Sequence, residues 1–378
     1  MISRRILLAA LLVALAAPAP AQVTTITLIA GSPEDQATNE ITRETDAQKR
    51  LALIQDALQK FAANPMAAAW FQWQLAQHYQ NTSEWPQALA AGEKAIEAQP
   101  NNVEIMVTVA QVAQSAKDWA TVSKWATRAG TLINTLDKQP RPEGASPEEF
   151  TARVRQQQST LQPLLEFLEA AAYTAVANEP DPKKRMGYVE QFPPAFPNSK
   201  FAEPVAQYAI VTLQQLNDPA RLQAFGEKVL AANPESVSTL TLLATAFAED
   251  QTGASLARAI TLGRKGIELA KPRAPDADDK RKLQAGLCYS AIGFALMRQE
   301  KTLPAITDLR EAAALLKGGD PAAYQTALFR LGYAYAKLSP PRLTEARAAL
   351  TEAASLQGPF QQAARDLLAK VNARRAGR

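Results

Sequence analysis

The chain has 378 residues, a formal net charge of +4 and a pI near 9.0. This length exceeds what one ordinary hydrophobic core accommodates, so it predicts either several domains or an array that grows by stacking. Hydrophobic residues make up 47% of the sequence but aromatic residues only 7%, and the scarcity of glycine argues against sheet-rich and collagen-like proteins.

The positive charge does not indicate a nucleic-acid or membrane-surface footprint. Arg4 and Arg5 lie in a segment that we expect to be removed, and without them the chain is close to neutral. The sequence contains one cysteine, Cys288, and one histidine, His78. An intramolecular disulfide is therefore excluded, and stability has to come from burial.

The N-terminus has the pattern of a secretory signal peptide over 1–21. Arg4 and Arg5 precede an uninterrupted apolar run over 6–17, which is followed by an A-x-A motif ending at Ala21. We expect cleavage after Ala21 and a periplasmic or secreted protein. A retained anchor is the weaker alternative, because the run is shorter than the roughly 18 to 20 residues of a spanning helix. No later segment is long and apolar enough to cross a bilayer, so we expect no stable membrane insertion after cleavage.

Helix signals dominate the rest of the chain. The stretch 22–44 opens with a run rich in threonine and isoleucine, which we interpret as a flexible N-terminal segment rather than a short strand. Two helix starts are well marked, at 32–35 (Ser-Pro-Glu-Asp) and 146–149 (Ser-Pro-Glu-Glu), each with a capping serine, a proline and acids in the first turn. The second start follows a proline-rich stretch, so we predict a linker over 138–149 that divides the helical array.

Small and large apolar residues recur at a fixed spacing from about residue 46 to residue 359. Trp85 and Trp119, each preceded by an acidic residue, lie 34 positions apart. Small residues recur where two helices would touch, and large apolar residues lie beside them. The clearest sets are Leu75, Ala76, Tyr79, Ala88, Ala95 and Pro100, then Tyr289, Ile292, Gly293, Leu296, Ala305, Leu309 and Ala312, then Leu328, Leu331, Gly332, Tyr335, Ala346, Leu350 and Ala353.

These residues resemble the tetratricopeptide-repeat family, whose units of about 34 residues each pair two antiparallel helices. The resemblance implies an all-α fold, a right-handed superhelical solenoid of antiparallel helix pairs with a C-terminal capping helix. It also implies a concave face built from the first helix of each pair. The implied segments are tetratricopeptide-like repeats over 45–137, degenerate and regular repeats over 150–272, a loop over 273–285, repeats over 286–358 and a capping helix with a basic tail over 359–378.

Candidate catalytic residues are few. His78 and Cys288 fall in predicted first helices, where we interpret them as an ordinary helical histidine and a small core residue. The glycines are too dispersed to form a loop that cradles phosphate. Acidic pairs at 148–149 and 278–279 fall at a helix start and in a loop, where charge is ordinarily structural or solvating. We therefore predict no catalytic residue, no metal site and no cofactor.

The register of the first helices, taken from the resemblance, predicts a neutral groove lined by amides and aromatic side chains. Such a lining suits extended peptides and would also suit glycans. For Trp70 and Trp73, packing against the preceding helix over 51–62 stays an open alternative. The basic and asparagine pattern by which some family members bind a peptide's C-terminal carboxylate is absent at the matching positions. The predicted groove residues are Trp70, Trp73, Gln77, Gln80, Gln111, Gln114, Gln207, Gln214, Phe329, Tyr333 and Lys337.

The resulting functional hypothesis is a noncatalytic scaffold for protein–protein interaction in the cell envelope. It would bind partner proteins or extended peptides through the concave face, and it would not bind nucleic acid. The alternative is an envelope enzyme that acts on cell-wall glycan and uses the solenoid as its support. The sequence leaves the partner, the pathway and the oligomeric state open.

Overall fold

The computed structural model describes residues 23–250 and 252–376. Within these residues the chain forms seventeen α-helices and one short 3₁₀ turn, Leu136–Lys138, and it contains no β-strand. The prediction of an all-α chain is confirmed. Among the described helices, none is both long enough and apolar enough to cross a bilayer. The predicted signal peptide over 1–21 and its cleavage site lie outside the described residues.

Contacts divide the chain into two units, here called unit 1 and unit 2. In its described part, unit 1 comprises 23–179 and 190–201. Unit 2 comprises 180–189, 202–250 and 252–376, so the division falls within one helix, α8. The helices up to this point are α1 (Pro33–Arg43), α2 (Ala47–Lys60), α3 (Pro65–Asn81), α4 (Trp85–Ala98), α5 (Val103–Ala116), α6 (Trp119–Asn134), α7 (Pro147–Asn178) and α8 (Pro182–Ala195).

The remaining helices belong to unit 2. Most of them form pairs of a first and a second helix, and within each pair the helices pack side by side. They are α9 (Ala202–Gln215), α10 (Pro219–Ala232), α11 (Val237–Asp250), α12 (Gly253–Ala270), α13 (Asp279–Arg298), α14 (Thr302–Leu316), α15 (Pro321–Lys337), α16 (Leu343–Ser355) and α17 (Gln361–Ala376).

Glycine allows the paired helices to approach closely. In α13, a Cβ added at Gly293 would lie 2.6 Å from Cγ of Leu309 in α14. In α15, a Cβ added at Gly332 would lie at the same distance from Cγ of Leu350 in α16. The spacing of small and large apolar residues in the sequence therefore reflects the same type of helix–helix contact in both pairs.

The stretch 22–44 was expected to be flexible, but several of its described residues, from Thr24 onward, pack on the rest of unit 1. The backbone N–H of Thr24 donates to the carbonyl oxygen of Asn101 at 3.1 Å. Helix α1 is capped by Ser32, and its Ile41 is only 1% exposed within an apolar cluster. Leu28 packs against the same cluster. The expectation is corrected because Ile41 is buried and Leu28 is partly buried on unit 1, although Ile29 is exposed.

The proline-rich stretch 138–149 ends at the capping box of Ser146, but it does not divide the array. Helix α7 packs against α6 within unit 1, and its Leu168 and Ala175 are fully buried. This contact holds together the two helices that flank the loop. The division into units occurs within α8 instead.

Two further boundaries follow from local chemistry. The predicted loop over 273–285 is shorter than expected, because the side chain of Asp278 accepts the N–H of Arg281 and starts α13 at Asp279. At the C-terminus, α17 packs against α15 and α16 and buries Ala364 and Val371. This is the contact that a capping helix has to make.

Candidate binding groove

A pocket of about 560 Å³ opens between the first helices α13 and α15 of unit 2. Three predicted groove residues, Phe329, Tyr333 and Lys337, are brought together in its lining. Tyr333 is 36% exposed, which is unusual for a large apolar ring in this chain. The other lining residues are Phe294, Met297, Arg298, Glu300, Thr302 and Arg330.

Arg330 of α15 fixes the geometry of this pocket. Its guanidinium carbon lies 4.2 Å from the centroid of the Phe294 ring. The guanidinium also donates to Oε1 of Glu249 in α11 at 2.5 Å and to Oγ of Ser290 in α13 at 3.3 Å. Burial lowers the pKa of Arg330, whereas the Glu249 carboxylate acts in the opposite direction. The guanidinium stays protonated at neutral pH and ties together three first helices.

The pocket carries the same two-residue pattern on both of its helices, an aromatic side chain followed four residues later by a cation. Phe294 precedes Arg298 on α13, and Tyr333 precedes Lys337 on α15. Four residues are about one helical turn, so each aromatic side chain shares a face with its cation. Nζ of Lys337 lies 5.7 Å from the Tyr333 ring centroid. Among the described residues, neither Arg298 nor Lys337 forms an ion pair.

Phe329 contributes to the pocket from a fixed position. Its ring stacks on the ring of Phe360, just before α17, with centroids 4.8 Å apart and planes inclined by 17°. The pocket edge is therefore connected to the capping helix. Phe329 has less free surface than Tyr333, and Tyr333 is the better anchor for a ligand.

The repeated contact of Gly293 with Leu309 and of Gly332 with Leu350, together with the helix pairs that carry it, decides the fold. The described residues form a repeated array of paired α-helices. No family model matches the chain, and no curated protein does so either.

Solved structures of helical-repeat proteins show a likeness at low identity. The chain is similar to the crystal structure of yeast Tom70, with 12% identity, a TM-score of 0.26 and coverage of 91% of this chain and 95% of that one. It is similar to the tetratricopeptide-repeat domain of P58(IPK), with 12% identity, a TM-score of 0.31 and coverage of 90% and 98%. A third likeness is to the APC/C hetero-tetramer Cut9-Hcn1, with 12% identity, a TM-score of 0.26 and coverage of 91% of each chain.

In unit 1, the two predicted groove tryptophans pack between helices. The indole Nε1 of Trp73 in α3 donates to Oγ1 of Thr108 in α5 at 2.8 Å. Trp70 packs against the apolar cluster that contains Ile54 of α2, and its ring meets that of Phe71 edge-on. Trp70 therefore packs against the preceding helix α2, the alternative that the sequence left open. Trp73 instead contacts the following first helix, α5.

The predicted glutamines are spread over three first helices, α3, α5 and α9. Gln77 and Gln80 lie half-buried on α3, and Gln114 lies half-buried on α5, where Gln111 is exposed. In unit 2, both remaining glutamines lie on α9, which packs against α11 and contributes nothing to the lining of the pocket between α13 and α15. These two residues are Gln207 and Gln214.

Six of the nine lining residues were not predicted from the sequence. Phe294 follows Gly293 just as Tyr333 follows Gly332, so the repeat register contains a signal that could have located it. Arg330 carried no such signal. Its partner Glu249 lies 81 residues away in the sequence, and a buried arginine is not expected from the apolar pattern.

The two candidate nucleophilic or basic side chains are buried away from this pocket. His78 is 6% exposed, and burial followed by repulsion from Arg50 lowers its pKa. Burial raises the pKa of the Cys288 thiol to about 11, although its contact with Thr241 opposes the shift. A thiol of that pKa is a poor nucleophile at neutral pH. Within the described ranges, no group of three or more His, Cys, Asp or Glu residues is arranged to hold a metal ion.

Proposed function

We propose that this protein is a noncatalytic scaffold of the cell envelope that holds partner proteins by an extended segment bound between α13 and α15. The observation that carries the proposal is the pair of aromatic side chains Phe294 and Tyr333, presented in one pocket on adjacent first helices. Arg330 holds the Phe294 ring before any ligand arrives. A ring held in this way loses little conformational freedom on binding, which favours affinity.

The chemistry of the lining supports a peptide as the ligand. The exposed ring of Tyr333 and the half-buried ring of Phe294 lie beside cationic side chains. Together they provide apolar contact and polar anchoring, the combination by which helical grooves recognise peptide segments. A volume of about 560 Å³ accommodates several side chains of a bound segment. The segment would run across α13 and α15 rather than along one helix.

The envelope location is supported by the N-terminal sequence. Arg4, Arg5 and the apolar run over 6–17, with the A-x-A motif at Ala21, predict export and removal of 1–21. Mass spectrometry of the protein purified from its native cells tests this part of the proposal. A mature N-terminus at Gln22 in the envelope fraction is expected, and an intact N-terminus in the cytosolic fraction would contradict it.

Site-specific crosslinking in intact cells tests the binding part. A photoreactive amino acid replaces Tyr333 in one variant and Thr351, exposed on the second helix α16, in a matched control. We expect partner adducts from position 333 only, and we expect them to be lost when Phe294→Ala is added. Equal adducts from both positions would show that the pocket is not the binding surface.

A further inference from the structure

The charged side chains that line the pocket differ in whether they already form an ion pair within the protein. Arg330 is paired with Glu249, so its charge is already matched. Arg298 and Lys337 have no ion-pair partner among the described residues, and the lining contains one carboxylate, Glu300. Two free cations against one free carboxylate give the pocket a preference for a negatively charged ligand.

We propose that the pocket selects an acidic extended peptide whose two carboxylates lie about three residues apart. This inference rests on the proposed function, because it specifies the peptide that the same pocket would take. One carboxylate would pair with Arg298 and the other with Lys337. The residues between them would pack on the rings of Phe294 and Tyr333.

The spacing follows from the helices that carry the cations. Arg298 and Lys337 each lie one turn after the aromatic residue of their own helix, and α13 and α15 are in direct contact. The axes of helices in contact are roughly 8 to 10 Å apart. A polyproline II peptide advances about 3.1 Å per residue and completes a turn in three residues. Side chains three apart on such a peptide therefore share one face and span the distance between the two helices.

Glu300 limits the acidity of the ligand. It lies in the turn between α13 and α14, two residues beyond Arg298, and it lines the same pocket. Its negative charge repels a third carboxylate at this end. The lining therefore favours two separated carboxylates over a continuous polyanion.

Fluorescence anisotropy with the full mature chain tests the inference. Three labelled peptides of about twelve residues, rich in proline and leucine, differ only at two positions three residues apart, where they carry glutamate, glutamine or lysine. We expect the glutamine peptide to bind about tenfold more weakly than the glutamate peptide, and the lysine peptide more weakly still. The preference should diminish as salt is raised.

Charge reversal in the pocket provides the matched comparison. The double variant Arg298→Glu with Lys337→Glu should bind the lysine peptide better than the glutamate peptide. The control Lys265→Glu with Arg310→Glu makes the same change of net charge on the exposed surfaces of α12 and α14, and it should keep the preference for glutamate.

The outcomes separate this inference from the proposed function. If the wild-type chain binds all three peptides equally, and position 333 still crosslinks a partner, the charge preference is wrong and the scaffold function stands. Competition by dextran sulfate as effective as that by the glutamate peptide would also overturn the inference. If no peptide binds and position 333 captures nothing, both proposals fail.

Discussion

Arg330 of α15 and Glu249 of α11 form an ion pair, with 2.5 Å between Nη2 and Oε1, and helix α13 lies against the same arginine. The Arg330 side chain is 12% exposed and that of Glu249 is 41% exposed. Because the guanidinium is the buried partner, removing Glu249 would leave a charge with little access to water. The same ion pair therefore contributes to the stability of unit 2 and holds the pocket residue Arg330 in place.

A double-mutant cycle measures this connection. We expect Glu249→Gln to lower the free energy of unfolding by about 2 kcal/mol, because it leaves the buried guanidinium without its counter-charge. Arg330→Met should cost about 1 kcal/mol, because the carboxylate that it leaves unpaired is partly exposed to water. Urea denaturation should show a coupling of about 1 kcal/mol between the two sites. If the double variant loses the sum of the two single-variant losses in unfolding free energy, the two side chains are not coupled and the pair does not fix the pocket.

The glycines of the repeated helix contact should not tolerate a methyl group. We expect Gly293→Ala and Gly332→Ala each to destabilise the protein by about 1 to 2 kcal/mol, because the new Cβ would overlap Leu309 or Leu350. The control is Gly187→Ala in α8, where a Cβ would meet nothing within 4 Å. There, the better helix propensity of alanine should stabilise the chain by about 0.5 kcal/mol. Equal effects at all three sites would contradict the close contact.

The side chain of Gln325 is fully buried and links α15 to the turn before α17. Its Nε2 donates to the carbonyl oxygens of Ala353 and Leu356, and its Oε1 accepts the N–H of Phe360. We expect Gln325→Leu to cost about 2 to 3 kcal/mol, because it leaves these backbone groups without a partner. Hydrogen exchange should become faster throughout α17. Gln362→Leu, on the exposed side of α17, should change neither quantity.

The stability of the protein should fall in mild acid because of His78. Its pKa is lowered in the folded state, first by burial and then by Arg50, from an ordinary value near 6.5. Between the lowered and the ordinary pKa, the unfolded chain binds more protons than the folded chain. The free energy of unfolding therefore decreases as the pH falls through 6.5 and levels off below the lowered pKa.

Urea denaturation between about pH 7.5 and pH 5 checks this dependence. The variant His78→Leu should lose the part of the slope that His78 contributes. Asp308 acts with the opposite sign, since burial raises its pKa, but it is present in both proteins and cancels in the comparison. Identical slopes for the two proteins would show that His78 titrates normally.

The helical pairs could be predicted because their signals are local and repeated. Helices α13 and α15 each carry a glycine where the second helix crosses. Polar caps such as Asp278 and Ser146 mark where helices begin. The packing of the stretch 23–44 could not be predicted, because its bond from Thr24 to Asn101 joins residues that are distant in sequence. The prolines before α7 lie between two helices of the same unit, because buried contacts and not the composition of a loop decide where units divide.

The candidate site was predicted where it follows the repeat register and missed where it depends on tertiary pairing. Tyr333 and Lys337 lie one turn apart on a single helix, so sequence spacing brings them together. Trp73 occupies a groove position in the register, but its indole N–H donates a hydrogen bond to Thr108. Sequence spacing alone does not predict that hydrogen bond. The pairing of Arg330 with Glu249 similarly depends on how three helices pack.

Hydroxyl-radical footprinting with and without a bound acidic peptide tests the central claim most directly. If the segment binds between α13 and α15, oxidation of Tyr333 and Met297 should drop several-fold, while Leu262 and Leu269 on the second helix α12 should be oxidised as before. Unchanged oxidation of Tyr333 and Met297, with protection on α12 instead, would contradict the account.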